Sequence, residues 1–268
     1  MRRNFPYPIG GYPIGSPAAG RFRRLPYGVW RRPFNKYARG VTGWLATVII
    51  AGLVGTLSVN PAPASAAAIK LLALGDSLTA GYGVQPEEAF PARLQAALRR
   101  DGLDVEIVNA GVSGDTSAGG LARVDWSLAD KPNAALVELG ANDALRGIDP
   151  KVTKANLDKI LAKFKAAGVP VLLLGMLGPT NFGTEYKTAF DAMYPALAAK
   201  YGVPLYPFFL DGVVLDPKLN QPDMEHPNPA GVDVIVKRVE PDARRLVERV
   251  ADKSGAAPIT PGAPPPKT

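Results

Sequence analysis

The chain predicts an α/β fold in which a parallel sheet carries helices on both faces. Three observations point there. Short apolar runs alternate with longer stretches at helical spacing from Ile69 to Val250, the pattern that builds βαβ units. Val171–Met176 is apolar throughout, as a strand covered on both faces requires. The densest polar motifs each begin where a predicted strand ends, which is where ligands gather in such sheets.

The elements follow in order. Ile69–Leu74 is an apolar run ending at Gly75 and reads as a buried strand. Glu88–Arg100 carries Phe90, Leu94, Ala97 and Leu98 at helical spacing, and Asp101-Gly102 closes it with a residue suited to the left-handed cap. Val105–Asn109 is the second strand, Thr116–Ala129 a helix, and Ala134–Leu139 the third strand. Val152–Ala167 is a helix capped by Gly168, and Val171–Met176 the fourth strand. Tyr186–Tyr201 is helical, Leu205–Phe208 a short last strand, and Pro229–Val250 a closing helix. No internal repeat interrupts this alternation.

The formal charge of +7 misleads, because nine of the 31 Lys and Arg residues fall in residues 1–66, which hold no acid. The rest has 22 basic against 24 acidic side chains. A nucleic-acid binder would spread basic charge over a folded face, so nucleic acid is not an expected partner. Residues 1–66 read as a secretory signal peptide with a long basic n-region. Met1–Gly40 is basic and rich in Gly and Pro, Trp44–Val59 is apolar, and small residues follow. Ala64-Ser65-Ala66 is the preferred cleavage site, with Ala62-Pro63-Ala64 the second choice. An uncleaved anchor is the alternative, although the apolar run is short for a hydrocarbon core of about 30 Å. Arg31-Arg32-Pro33-Phe34-Asn35-Lys36 partly matches a twin-arginine signal, and translation from an internal start codon is another reading of the long n-region. Either export route puts the chain in the periplasm or outside the cell and touches a membrane only in transit. The absence of cysteine removes disulfides, thiolate nucleophiles and thiolate metal sites. Residues 67–252 form one domain, expected as a monomer, and 253–268 read as a disordered Pro/Ala-rich tail.

His226, in Asp223-Met-Glu-His226-Pro-Asn, is the only histidine. No other side chain has an unperturbed pKa near neutrality, so it is the candidate general base. Asp223, three residues earlier, can orient the imidazole through Nδ1 and stabilise the imidazolium. Ser77, in Gly75-Asp76-Ser77-Leu78-Thr79, follows a strand and is the candidate nucleophile; alone it reads equally as a helix cap or turn serine. The Gly-x-Ser-x-Gly elbow of α/β-hydrolases is absent. Gly114, in Gly111-Val-Ser-Gly114-Asp115, can offer a backbone N–H at close approach, and Asn142, in Gly140-Ala-Asn142-Asp143, an uncharged side-chain donor. Each alone also reads as a turn or cap residue. Too few imidazole or soft ligands exist for a zinc site. No role is assigned to Glu225.

These four blocks, in this order, resemble the SGNH or GDSL-type serine hydrolases, over about Ile69–Val250. Within that family Asn109–Arg123, Glu138–Gly147 and Val203–Phe209 are similar to the bacterial periplasmic thioesterase, lysophospholipase and arylesterase subgroup. The resemblance implies a three-layer α/β/α sandwich with a five-stranded parallel sheet, flavodoxin-like. It implies Ser77 as nucleophile, His226 as base and Asp223 as its orienter. The Ser77 and Gly114 backbone N–H groups and the Asn142 amide become the oxyanion hole, and no metal or cofactor is implied. One departure is Met224-Glu225, where relatives often carry Gly and an apolar residue.

The expected reaction is hydrolysis of a small-molecule carboxylic ester or thioester, such as an aryl ester, acyl thioester or lysophospholipid, through an acyl-enzyme. Export makes intracellular acyl-CoA an awkward physiological substrate. Leu145, Ile148, Phe182 and Tyr186 flank the expected site and line an acyl groove in this reading; ordinary core packing is the alternative. Two other readings stay open, a carbohydrate O-acetyl esterase of the same fold and a non-catalytic binding relative.

Overall fold

The computed structural model describes residues 68–254, and its apolar runs form one sheet of 5 strands. These are β1 (Ile69–Gly75), β2 (Val105–Gly111), β3 (Ala134–Glu138), β4 (Val171–Leu174) and β5 (Leu205–Tyr206), in the order β2-β1-β3-β4-β5. Every neighbouring pair is parallel. The register aligns Leu71 with Ile107 on one side and Ala134 on the other. From β1 the chain moves first to β2 on one flank and then back across to β3 on the other. In open parallel sheets ligands gather at such a reversal, here the carboxyl ends of β1 and β3.

The side chains of β3 and β4 are buried along their whole length, which explains why every residue in them but the terminal Glu138 is apolar. β2 lies at an edge and exposes Glu106 and Asn109, polar groups that discourage further strand pairing. Seven α-helices flank the sheet: α1 (Ser77–Ala80), α2 (Phe90–Arg100), α3 (Ser117–Ala129), α4 (Ala141–Leu145), α5 (Pro150–Ala166), α6 (Gly183–Tyr201) and α7 (Pro229–Ser254) among the described residues. α2 packs on α7, which crosses β1, β3 and β4, while α3, α5 and α6 pack side by side. Leu72, Leu74, Leu136, Leu139, Phe90, Phe164 and Phe190 fill the core between these layers.

Several boundaries differ from the sequence expectation. The helix predicted from Glu88 starts at Phe90, because Pro86–Glu88 forms a separate 3-10 turn and Ala89 is extended at φ −63, ψ 148. Thr116 is the cap of α3, its side chain accepting from the Gly119 N–H, rather than its first residue. α5 begins at Pro150, whose missing N–H is harmless at a first helical position, with Asp149 accepting from the Lys151 N–H. α6 begins at Gly183 rather than Tyr186. β4 and β5 stop short of the predicted Met176 and Phe208, at Leu174 and Tyr206. α7 continues past Val250 to Ser254, into the first residues assigned to the tail. The proposed leader, residues 1–66, and tail residues 255–268 lie outside the described residues.

Candidate active site

β1 ends at Gly75 and the chain turns at once into α1. The Asp76 side chain caps that turn, its Oδ1 accepting the Leu78 N–H at 3.0 Å. Ser77 is thereby the first helical residue, buried at the carboxyl end of the sheet. The histidine arrives from the loop before α7. An antiparallel bridge joins Asn220 to Pro227, and the Gln221 N–H donates to the His226 carbonyl at 2.8 Å, closing the loop on itself. Gln221 Nε2 also donates to the Tyr82 carbonyl at 2.7 Å, tying this loop to the turn after Ser77. Inside it, Asp223 Oδ1 accepts the N–H groups of Glu225 and His226, each at 3.0 Å, an Asx turn that sets both side chains on one side.

The resulting relay is direct. Asp223 Oδ2 lies 2.8 Å from His226 Nδ1, and His226 Nε2 lies 2.9 Å from Ser77 Oγ. An ionised carboxylate can only accept, so Nδ1 carries the proton and Nε2 presents its lone pair to the hydroxyl. The backbone N–H of His226, helped by that of Glu225 and by the imidazole, holds the Asp223 carboxyl down at about 2. The Tyr82 ring lies beside the imidazole, 4.6 Å between centroids.

Met224 sits between the two loop residues at φ +61. A left-handed conformation costs an L-residue about 1–2 kcal/mol, while glycine adds about 0.4–1 kcal/mol of unfolded-state entropy. Met224→Gly is therefore expected to stabilise the fold by about 0.5–1 kcal/mol, read as a higher urea midpoint with an unchanged slope. An unchanged or lower midpoint would show that the Met224 side chain contributes packing that offsets its strain.

The two further candidate residues come from the neighbouring strands. Gly114 lies in the loop after β2 at φ +83, and a Cβ there would meet only Arg146 Nη2, at 3.8 Å. The backbone angle, rather than crowding by protein atoms, is what calls for glycine. Asn142 is in α4, after β3, and its Nδ2 donates to Asp76 Oδ2 at 3.2 Å. Among the described residues, the backbone N–H groups of Ser77 and Gly114 donate to no protein acceptor. A serine hydroxyl, an imidazole and N–H groups without protein acceptors thus lie together at the carboxyl end of the sheet.

Comparison with known proteins gives the family. A description of the GDSL-like Lipase/Acylhydrolase family matches residues 73–234. The chain belongs to that family. It is 44% identical over 188 residues to an arylesterase of Vibrio mimicus, covering 70% of this chain and 92% of the relative. It is also 44% identical over 182 residues to thioesterase 1/protease 1/lysophospholipase L1 of Escherichia coli strain K12, covering 66% and 86%. The crystal structure of TesA superposes with a TM-score of 0.63 at 42% identity, covering 66% of this chain and 99% of that one.

All five candidate residues of this GDSL-like acylhydrolase lie within the matched span. Two further residues brace them, and the sequence reading passed over both. Arg123 donates to Asp115 Oδ2 at 2.6 Å, the Ala110 carbonyl at 2.6 Å and the Gly75 carbonyl at 2.7 Å, locking the ends of β1 and β2 to the Gly114 loop. Buried Asp143 accepts from the Ser117 N–H at 2.7 Å, the Ser117 hydroxyl at 2.5 Å and Thr153 Oγ1 at 3.0 Å, which anchors α4 and hence Asn142. Arg123 left little sequence signal, since two of its three partners are backbone carbonyls and the third, Asp115, is eight residues away. Asp143 had one: an acid directly after Asn142, read only as part of a possible cap.

The four groove candidates fall at one corner. Tyr186 Oη donates to the Ile148 carbonyl at 3.0 Å, and the Phe182 and Tyr186 rings are 5.2 Å apart. A Cβ on Gly147 would lie 3.0 Å from the Phe182 ring, so the loop after α4 abuts the start of α6. Leu145 and Phe182 are exposed while Ile148 and Tyr186 are half-buried, a mix that plain core packing does not produce. Among the described residues no group of three or more His, Cys, Asp or Glu side chains is gathered to hold a metal ion.

Proposed function

We propose that this ester hydrolase is an exported serine esterase and thioesterase that works through an acyl-enzyme on Ser77. The observation that carries the reading is the unbroken chain Asp223 Oδ2, His226, Ser77 Oγ, with links of 2.8 and 2.9 Å. In the first half-reaction His226 Nε2 takes the serine proton as Oγ attacks the substrate carbonyl carbon. The Ser77 and Gly114 N–H groups and the free N–H of Asn142 stabilise the oxygen that gains the charge. As the tetrahedral intermediate collapses, His226 returns the proton to the departing alcohol or thiol. Water, deprotonated by the same imidazole, then attacks the acyl-serine and releases the acid.

Aryl esters, acyl thioesters and lysophospholipids are the substrate class, with the acyl chain lying along Leu145, Ile148, Phe182 and Tyr186. Export follows from the leader in residues 1–66, and the site of action is the periplasm or the exterior. A fluorophosphonate tests the nucleophile: the expected result is one covalent adduct, mapped by mass spectrometry to the peptide bearing Ser77, with matching loss of hydrolysis of p-nitrophenyl esters of graded chain length. An adduct on another residue, or none in active protein, overturns the assignment.

A further inference from the structure

Two buried carboxyls beneath the proposed oxyanion donors have no part in the reaction above. Asp76 follows β1, Glu138 ends β3, and both are almost fully buried. Gly75 pairs with Glu138 across the sheet, and Thr79 Oγ1 donates to Glu138 Oε2 at 2.8 Å. The Asp76 backbone N–H points at the same oxygen from 3.4 Å. A Cβ on Gly75 would lie 2.0 Å from Thr79 Oγ1 and 2.7 Å from Glu138 Oε2, so only glycine leaves room for this cluster. Glu138 Oε1 has no hydrogen-bond partner among the described residues, and Asp76 is a second buried acid whose backbone N–H reaches the other Glu138 oxygen. Two buried acids this close disfavour double ionisation, and a buried carboxylate oxygen with no donor disfavours the anion, so one of the pair carries a proton.

The donor pattern decides which. Asp76 accepts the Leu78 N–H and the Asn142 amide, both of which favour its anion. Glu138 Oε1 receives nothing, which favours a hydroxyl there. Burial pushes Glu138 well above the ordinary carboxylate range, and the Asp76 charge adds to this. Burial also raises Asp76, to about 6, although its hydrogen bonds and His226 pull the other way. The titratable groups around the pair are His226 on the side of Ser77 and buried Tyr194 on α6.

We propose that Glu138 stays protonated beside an ionised Asp76, and that this pair is the positioning element for Asn142. An acceptor-only Asp76 holds the amide by one N–H and leaves the second N–H for the oxyanion. A protonated Asp76 would tolerate the flipped amide, which would put Oδ1 against the developing charge. The inference rests on the reading of Asn142 as an oxyanion donor.

Infrared difference spectra of the full chain across pH test the protonation directly. A neutral-carboxylic-acid band is expected at pH 7 and lost in Glu138→Gln; no such band in the wild type overturns the proposal. Stability gives a second readout. A carboxyl whose folded pKa is raised contributes fully below the unfolded value and loses that contribution as pH rises. Wild-type Tm should therefore fall from pH 5 to 8 more steeply than that of Glu138→Gln, and parallel slopes count against the pair. In catalysis, Glu138→Ala lowers kcat and Glu138→Gln, which keeps the shape and the lack of charge of a protonated Glu138, restores most of it. Asp76→Asn lowers kcat by on the order of 10²–10³, as loss of one oxyanion donor does. Added to Asn142→Ala it lowers kcat no further, whereas additive losses overturn the positioning role. Fluorophosphonate labelling of Ser77 in the wild type keeps failure of the serine reading distinct from failure of this one.

Discussion

Alanine at Ser77 and alanine at His226 each lower kcat for a p-nitrophenyl ester by on the order of 10⁴–10⁶, and the double variant falls to the same residual rate. A serine hydroxyl is a weak nucleophile until a base removes its proton, and a base without the hydroxyl has nothing to activate. The two groups, 2.9 Å apart, thus act as one unit, and removing either removes the whole contribution. What remains comes from substrate binding and the oxyanion donors, so KM should change little. No second base stands ready: the chain has one histidine, and the carboxyl raised to about 6, Asp76, is already bonded to Leu78 and Asn142. Kinetics on variants with wild-type circular dichroism check this. A His226→Ala enzyme keeping more than about a hundredth of the wild-type kcat would exceed that residual and break the relay.

The sheet was legible because its central strands are buried on both faces. Val171–Leu174 and Ala134–Glu138 have no polar side to confuse the pattern, apart from Glu138 at the very end. The single-turn helices α1 and α4 were not legible, since four or five residues cannot display a helical period, yet they carry Ser77 and Asn142. What the sequence offered instead was Gly followed by polar residues after a strand, which marks a site without giving its local shape. Asp223 and His226 were readable as a pair from their spacing, but not the Asx turn that aims them, because both of its donors are backbone N–H groups. Glu138 was hidden for a related reason. It falls inside the strand predicted over Ala134–Leu139, where nothing in the sequence pairs it with Asp76, and the register beside Gly75 shows where it is buried.

Asp223→Asn is expected to lower kcat/KM by on the order of 10³–10⁴, the second-largest loss. The Asx turn explains why so small a change is so harmful. Oδ1 of Asp223 takes two backbone N–H donors, a position only an oxygen can fill. Asparagine must therefore keep its carbonyl there and turn its NH₂ toward His226 Nδ1. That forces the proton to Nε2, the wrong nitrogen for accepting from Ser77. Because the Asp223 side chain is 37% exposed, against 18% for His226, solvent screens its charge and the lower end of the range is expected. Its carboxyl, held at about 2, also stays ionised throughout the working range, so the acid limb of the wild-type kcat/KM profile does not come from this residue. The same depression gives a stability contribution present above the unfolded value near 3.8 and lost as pH falls through about 2. Alanine at 223 separates the two explanations. It removes the charge without offering a donor, so Asp223→Ala should be at least as active as Asp223→Asn if the tautomer dominates. Wild-type rates in Asp223→Asn would mean that Tyr82 and the Gln221-braced loop orient the imidazole without the carboxylate.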